Sequence, residues 1–268
     1  MRRSLLAMRA AGEPMAPGEL ARRLLALDTT PEDGVARRLV AGLLGGSADA
    51  LPERIEPQAL RPAEERAVAD APLASARFAV IDLETTGLSR EHDAIIEIGA
   101  VRVEGLRIVS RFETLSRPPG PGPLSDAIVR LTGIGDALLA DAPPAHRALS
   151  RFARWLAEEP GAAWVAHNAR FDAGFLRRAF RAQWDRDLAV AVLCTQRLSR
   201  RLLPRLGRYD LDHLCAHFAI PNRARHRALG DAEATARAWI ELLALARERR
   251  LETVGALLDL QETRPRRR

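Results

Sequence analysis

An α/β domain built on a mixed five-stranded sheet flanked by helices, with an N-terminal helical extension, is the architecture this 268-residue sequence predicts. Three observations lead there. The run Phe78-Ala-Val-Ile-Asp-Leu83 has the apolar density of a buried strand. The segments after it change period in the order β-β-β-α-β-α-β-α-α, which implies a mixed sheet covered by helices. Composition also shifts near residue 70, after a stretch rich in Ala, Leu and Arg. The expected division is a helical extension and linker over residues 1–72, a main domain over 73–260 and a basic tail over 261–268.

Each element has its own signal. In the extension, Glu19 to Leu27 and Asp33 to Leu44 carry apolar residues at helical spacing; Pro31 separates them and Gly45-Gly46 stops the second. Leu51 to Ala71, with three prolines and several acids, reads as a linker. In the main domain, Gly87 permits a tight turn after the first strand. Ile95 to Val103 and Leu106 to Leu115 follow as strands joined in a hairpin at Glu104-Gly105. Pro118 to Pro123 breaks the chain. Ser125 to Leu131 is a short helix, and Ala145 to Ala157 a longer one with Phe152, Trp155 and Leu156 on one face. Ala163 to Ala166 is the fourth strand, Ala169 to Ala182 a helix and Val190 to Cys194 the fifth strand. Helices are expected at Thr195 to Leu203, Leu211 to Phe218 and Ala228 to Arg249, and a frayed tail at Arg264 to Arg268.

The formal charge is +6, and all the basic residues are arginine, which reads first as coding bias. The charge is physical nonetheless, and a basic surface attracts polyanions. No segment is a basic amphipathic membrane anchor or approaches a transmembrane length. Arg9 and Glu13 interrupt the N-terminal apolar run too early for a signal-peptide core. Cys194 and Cys215 are too far apart for a C-x-x-C pair and sit in apolar surroundings, so they read as core residues in a reducing compartment. A cytoplasmic location is the expectation.

The chemistry lies in three separated segments. Asp82 and Glu84 are one residue apart on a strand, which puts both carboxylates on one face. They repel unless a cation bridges them, although a solvated strand end is an equal reading of this pair alone. Thr85-Thr86-Gly87 adds hydroxyls and backbone amides suited to a phosphate or a terminal sugar. Asp172 lies in the first turns of a helix, after His167-Asn168 at a strand-to-helix turn; Asn168 alone could simply cap that helix. His226 and Asp231 flank the start of the last long helix, where Asp231 alone suits the helix dipole and His226 alone suits a surface. Taken together, four acids beside apolar elements call for a cation. A divalent-metal site answers that need, with a histidine as titratable partner.

In order and spacing, Asp82-x-Glu84-Thr-Thr-Gly87, His167-Asn-Ala-x-Phe-Asp172 and His226-x-x-x-x-Asp231 resemble the three motifs of the DEDDh (DnaQ-like) exonuclease family. Ile95-Ile-Glu-Ile-Gly99, Leu131-Thr-Gly-Ile134 and Tyr209-Asp-Leu-Asp-His-Leu214 support the resemblance, which runs from Phe78 to Leu258. Within the family it looks most like the proofreading subunit of bacterial DNA polymerase III. No clamp-binding or polymerase-binding tail is recognisable, so a stand-alone or differently partnered exonuclease is an equal expectation.

The resemblance implies a ribonuclease-H-like sheet, two bound Mg²⁺ or Mn²⁺ ions and stepwise removal of nucleotides from a DNA 3′ end, single-stranded or frayed. By position, Asp82, Glu84, Asp172 and Asp231 would be metal ligands and His226 the general base. Thr85, Thr86, Leu88, Asn168, Leu131 and Thr132 would contact the terminal nucleotide, while Phe171 would pack. The alternatives are an RNA 3′-end-trimming exonuclease, since one metal core serves both sugars, and a non-catalytic nucleic-acid-binding module. A polymerase or repair partner is compatible with the motifs; a membrane is not expected.

Overall fold

A computed structural model describes residues 15–25, 30–44, 68–120, 123–158, 161–185, 190–222 and 224–263. The N-terminal apolar run, the Gly45-Gly46 stop, the linker over 51–67 and the tail from Arg264 lie outside these. The chain divides into two compact units, residues 1–67 and 68–268.

The first unit contains α1 (Pro17–Leu25) and α2 (Asp33–Leu44), which pack on each other. Leu20, Ala21, Ala36 and Val40 are buried. Helix α1 starts two residues before the expected Glu19, because the fixed φ of Pro17 suits a first helical position.

In the second unit the strands are β1 (Arg77–Thr85), β2 (Ile95–Glu104), β3 (Arg107–Leu115), β4 (Ala163–Ala166) and β5 (Val192–Cys194). They lie in the order β3-β2-β1-β4-β5. β1 pairs antiparallel with β2 and parallel with β4; β2–β3 is antiparallel and β4–β5 parallel. The expected mixed five-stranded sheet is therefore present, with β1 at its centre. Leu106 belongs to the turn rather than to the third strand. Gly105 and Leu106 both have positive φ, 50° and 64°, the hand of a two-residue hairpin turn that matches sheet twist.

The helices are α3 (Asp126–Thr132), α4 (Asp136–Ala140), α5 (Ala145–Ala157), α6 (Arg170–Trp184), α7 (Thr195–Leu202), α8 (Leu211–His217), α9 (Ala228–Glu248) and α10 (Val254–Glu262). Alternation along the strands sorts the core into two layers. Phe78 and Val80 of β1, Val101 and Val103 of β2 and Val165 of β4 pack under α7, α8, α9 and α10, where the Trp239 ring meets Phe78 edge-on at 5.1 Å. Ala79, Ile81 and Leu83 face the opposite layer, formed by Leu149, Phe152 and Trp155 of α5 and Phe175, Leu176 and Phe180 of α6. Asp82 and Glu84 therefore continue the face that carries Phe78 and Val80, toward α9.

Two short helices escape sequence reading. α4 is a turn and a half after Gly135, and α10 starts from the Thr253 side chain, which accepts the Ala256 N–H at 3.2 Å. Helix α10 completes the sheet. Buried Gln261 accepts the Cys194 N–H at 3.0 Å and donates to the Val192 carbonyl at 2.9 Å, one donor and one acceptor on the outer edge of strand β5. The other end of the unit is packed as well. Ala69 and Leu73 join the core, and Leu73 N–H donates to the Glu252 carbonyl at 2.8 Å. Both cysteines are free and buried, and burial pushes the Cys215 thiol up to about 11. No described helix is long and apolar enough to cross a membrane.

Gly99 of β2 sets how closely α9 approaches. A Cβ there would lie 2.1 Å from the Ala228 carbonyl carbon and 2.2 Å from the Leu229 nitrogen, backbone atoms with no slack. Gly99→Ala is expected to destabilise the protein by about 1–3 kcal/mol, seen as a lower urea midpoint at unchanged m-value. An unaltered midpoint would show that the helix start can slide at no expense.

Candidate active site

The site forms where the C-terminal end of β1 meets the N-terminal ends of α6 and α9. Asp82 and Glu84 leave β1 on the α9 face, just before a register shift between Glu84 and Thr85. Beyond them residues 86–94 make a closed loop around Asp93. Thr86 Oγ1 donates to Asp93 at 2.9 Å and accepts the Ala94 N–H at 3.0 Å, and Ser89 N–H donates to Asp93 at 2.8 Å. A Cβ on Gly87 would come within 2.5 Å of the Asp93 carboxylate, so any other residue there would push Asp93 out of its place in the loop. Arg178 of α6 pins the loop from outside by donating to the Arg90 and Asp93 carbonyls. The Leu88 side chain, 85% exposed, is held out at the tip.

Asp172 sits in the first turn of α6, almost wholly buried, near the Leu83 backbone N–H. Asn168 precedes it with a left-handed backbone, φ 59°, a conformation that asparagine tolerates better than most residues. Its side chain makes no cap for α6, so the simple capping role does not hold. The residue stays exposed beside the site.

His226 and Asp231 are placed by a folded-back loop ahead of α9. Asn222 Nδ2 donates to Asp231 Oδ1 at 2.6 Å, and the His226 N–H donates to Oδ2 at 3.1 Å. Arg225 Nη1 donates to the same Oδ2 at 2.9 Å while its other nitrogens hold Asp212. Gly230 lets this loop close, since a Cβ there would meet the Ala224 carbonyl oxygen at 2.2 Å. His226 takes φ 61°. The helix N-terminus itself is satisfied by Glu97 of β2 rather than by Asp231. Glu97 is fully buried, accepts the Ala228 N–H at 2.7 Å and pairs with the Arg227 guanidinium.

These elements bring Glu84, His226 and Asp231 together, with one ligand atom from each within 4.8 Å of the others. Asp82 lies inside the same field. Burial, then the charges of Asp172, Asp231 and Glu84, holds its carboxyl well above the usual carboxylate range, against a lowering pull from Arg225. Burial raises Asp172 to about 8. Glu84 rises to about 7 through burial, Asp231 and Glu97. Acids raised together like this lack a sufficient cation. Carboxylate oxygens with one imidazole are a donor set that fits a hard divalent ion such as Mg²⁺ or Mn²⁺.

The expected nucleotide contacts divide. Leu88 and Leu131 are exposed apolar surfaces. Thr85 Oγ1 donates to the Gly87 carbonyl at 2.6 Å, and buried Thr132 donates to the Ile128 carbonyl at 2.9 Å. With Thr86 also committed to Asp93, the three hydroxyls already shape the loops that carry the site. Phe171 packs against Phe175 with ring centroids 4.9 Å apart. Sequence reading missed Glu97, Asn222, Arg225 and Asp212. Glu97 and Asp212 did leave a signal, since they stand in the supporting stretches Ile95–Gly99 and Tyr209–Leu214, but neither stretch announces its partner. A cavity of about 570 Å³ between α5, α6 and the start of β2 is lined by none of the five site residues.

The sheet order and the acid cluster at the end of its central strand define a ribonuclease-H-like nuclease fold. A model of the exonuclease family RNase_T matches residues 79–239, and the chain belongs to that family, in its DnaQ-like branch. DNA polymerase III PolC-type from Bacillus subtilis (strain 168) is 38% identical over 196 residues, covering 70% of this chain and 13% of the relative. The enzyme of the same name from Oceanobacillus iheyensis is 42% identical over 167 residues, 62% of this chain and 11% of the relative. The chain thus spans only about an eighth of these relatives' length. Among solved structures, exonuclease X in complex with 5′ overhanging duplex DNA superposes with a TM-score of 0.54 at 27% identity, covering 69% of this chain and 99% of that one. E. coli exonuclease I in complex with a dT13 oligonucleotide shares the fold, with a TM-score of 0.55 at 20% identity over 66% of this chain and 42% of that one.

The shifted groups give a signed pH dependence. Asp172 and Glu84 hold their protons more tightly folded than unfolded, from ordinary values of 3.8 and 4.5. Metal-free stability is therefore lost as pH rises through about 7 and 8. His167 runs the other way. Burial lowers it from 6.5 to about 4, so stability is lost as pH falls from 6.5 through that value. Two raised acids outweigh one lowered histidine, so in EDTA the melting temperature should decline from about pH 5 to pH 8. Asp172→Asn should raise it at pH 8, and Mg²⁺ should stabilise wild type more at pH 8 than at pH 6. A metal-free melting temperature that climbs steadily to pH 8 would contradict the assignment.

Proposed function

We propose that this chain is a metal-dependent 3′–5′ exonuclease that hydrolyses phosphodiester bonds at DNA 3′ ends and releases nucleoside monophosphates. The observation that carries the reading is the convergence of Glu84, His226 and Asp231 within 4.8 Å, in a field that raises Asp82, Glu84 and Asp172 together. Family membership supports it, as do the PolC-type relatives and the likeness to exonuclease X, whose solved complex holds 5′ overhanging duplex DNA. We assign the nuclease to residues 73–260 together with the packed residues on either side, from Val68 onward.

Asp82, Glu84, Asp172 and Asp231 would hold two divalent ions, Mg²⁺ or Mn²⁺. When bound, such ions make water a better nucleophile and neutralise charge on the phosphate and the leaving 3′ oxygen. His226 accepts the proton of the attacking water. Its backbone N–H donates to Asp231, which holds the residue beside the acids. Asn222 and Arg225 orient the Asp231 carboxylate, one on each oxygen. Leu88 and Leu131 offer apolar contact to the terminal base, and Asn168 a polar contact from the strand-to-helix turn.

With Mg²⁺ or Mn²⁺, a 5′-labelled DNA oligonucleotide should shorten from its 3′ end and release nucleoside monophosphates. His226→Ala should slow this by about 10²–10⁴-fold, and Asp82→Ala at least as much, both without loss of the folded state by circular dichroism. Faster loss of a matched RNA oligonucleotide would reassign the substrate. DNA and RNA 3′ ends left intact with every divalent metal would end the proposal.

A further inference from the structure

Helix α7 and its connection to α8 carry five arginines and no acid between Thr195 and Tyr209: Arg197, Arg200, Arg201, Arg205 and Arg208. Two of them are used internally. Arg197 donates to the Gln261 carbonyl at 2.6 Å and pairs with Glu262, and Arg201 donates to the Thr263 carbonyl, so both bolt α7 to the end of α10. The other three are exposed. Arg200 lies 5.6 Å above the Tyr209 ring, and Arg208 pairs at 3.3 Å with half-exposed Asp210, which His213 also holds. Arg205 stands at the outer bend.

The connection that presents them is shaped in advance. Leu206 N–H donates to the Leu203 carbonyl, Arg208 N–H to the Leu206 carbonyl, and the Tyr209 hydroxyl to the Leu203 carbonyl at 2.9 Å. Gly207, with φ 81°, supplies the bend that an L side chain would resist.

Both ends of this segment return to one residue beside the site. His167 Nδ1 lies 2.9 Å from Thr195 Oγ1, at the start of α7. Its Nε2 is buried without a well-formed hydrogen bond, and the nearby Tyr209 carbonyl faces the ring. His167 opens the turn that leads through Asn168 to Asp172. The basic segment is therefore a loop hung from the rim of the acid cluster, on the α9 face of the sheet where Asp82 and Glu84 emerge. Three outward guanidiniums on a shaped loop next to a phosphodiester-cleaving site have a chemical complement in a row of phosphates.

We propose that Arg200, Arg205 and Arg208 form a docking surface for the sugar–phosphate backbone of the nucleic acid whose 3′ end enters the site. The inference rests on the exonuclease reading and adds to it where the rest of the strand lies. The surface contributes by releasing counterions, so its signature is the salt dependence of binding rather than base preference.

The test is anisotropy of a fluorescein-labelled thymidine oligonucleotide with the full chain in EDTA, where no strand is cut, titrated across salt concentrations. Replacing all three arginines by glutamine should flatten the slope of log K against log salt by about 2, the value for roughly three phosphate contacts on a single strand. Arg147→Gln, Arg154→Gln and Arg177→Gln together remove the same charge from α5 and α6 and should leave the slope near wild type. The triple lysine variant keeps the charge at 200, 205 and 208 and should also stay near wild type. Equal flattening by both glutamine sets, no flattening by the first, or loss with lysine would overturn the surface. Wild-type chain given Mg²⁺ and the same oligonucleotide reports the enzymatic reading separately: shortening with an unchanged slope removes only the surface, and arginine-dependent binding without shortening removes only the activity.

Discussion

One buried carboxylate organises the end of the sheet that carries the acid cluster. Glu97 stands in strand β2 with no exposure to solvent and meets the first N–H of α9 and the Arg227 guanidinium. A buried ion in that position is tolerable only because a helix terminus and an arginine share it. The pairing fixes the height at which α9 begins, and Gly99 on the same face of β2 removes the Cβ that would hold the helix away. Asp231 lies one turn into α9 and His226 just before it. Their distance from Asp82 and Glu84 on the neighbouring strand is thus set by a contact between β2 and α9, and the hydrogen bond from the His226 N–H to Asp231 ties only the α9 pair to each other.

The acids then present a problem that the protein solves only in part. Arg225 and Asn222 hold Asp231, and Arg225 also lowers the field at Asp82 and Glu84. These partners stop short of neutralising the cluster, because Asp82, Glu84 and Asp172 remain raised. A cluster fully satisfied by arginines would be rigid and inert. One left short of positive charge keeps both an affinity for divalent ions and a penalty for being without them.

The five central residues were legible in the sequence because each belongs to a local pattern: acids at strand spacing in β1, an acid in the first turn of α6, a histidine and acid around the start of α9. Strand positions were legible for the same reason. What escaped was whatever depends on contact between distant segments. The acceptor role of Glu97 requires α9 to be its neighbour, and the grip of Asn222 and Arg225 on Asp231 requires the loop to fold back over Gly230. The threonines show the reverse. The Thr86 hydroxyl donates to Asp93 and the Thr132 hydroxyl to the Ile128 carbonyl, contacts that only the closed loops reveal. Helix α10 was missed because its amphipathic pattern is short, although its Gln261 does what no local pattern announces.

That glutamine has a wider implication. Parallel sheets that stop at a three-residue strand normally leave a comb of unsatisfied peptide groups, the usual starting point for unwanted cross-chain association. Here a single primary amide plays the part of a missing sixth strand, matching one donor and one acceptor at the β5 margin. A neighbouring polypeptide that reached this flank would find this donor and this acceptor already taken, and would have to displace a buried side chain to extend the sheet there.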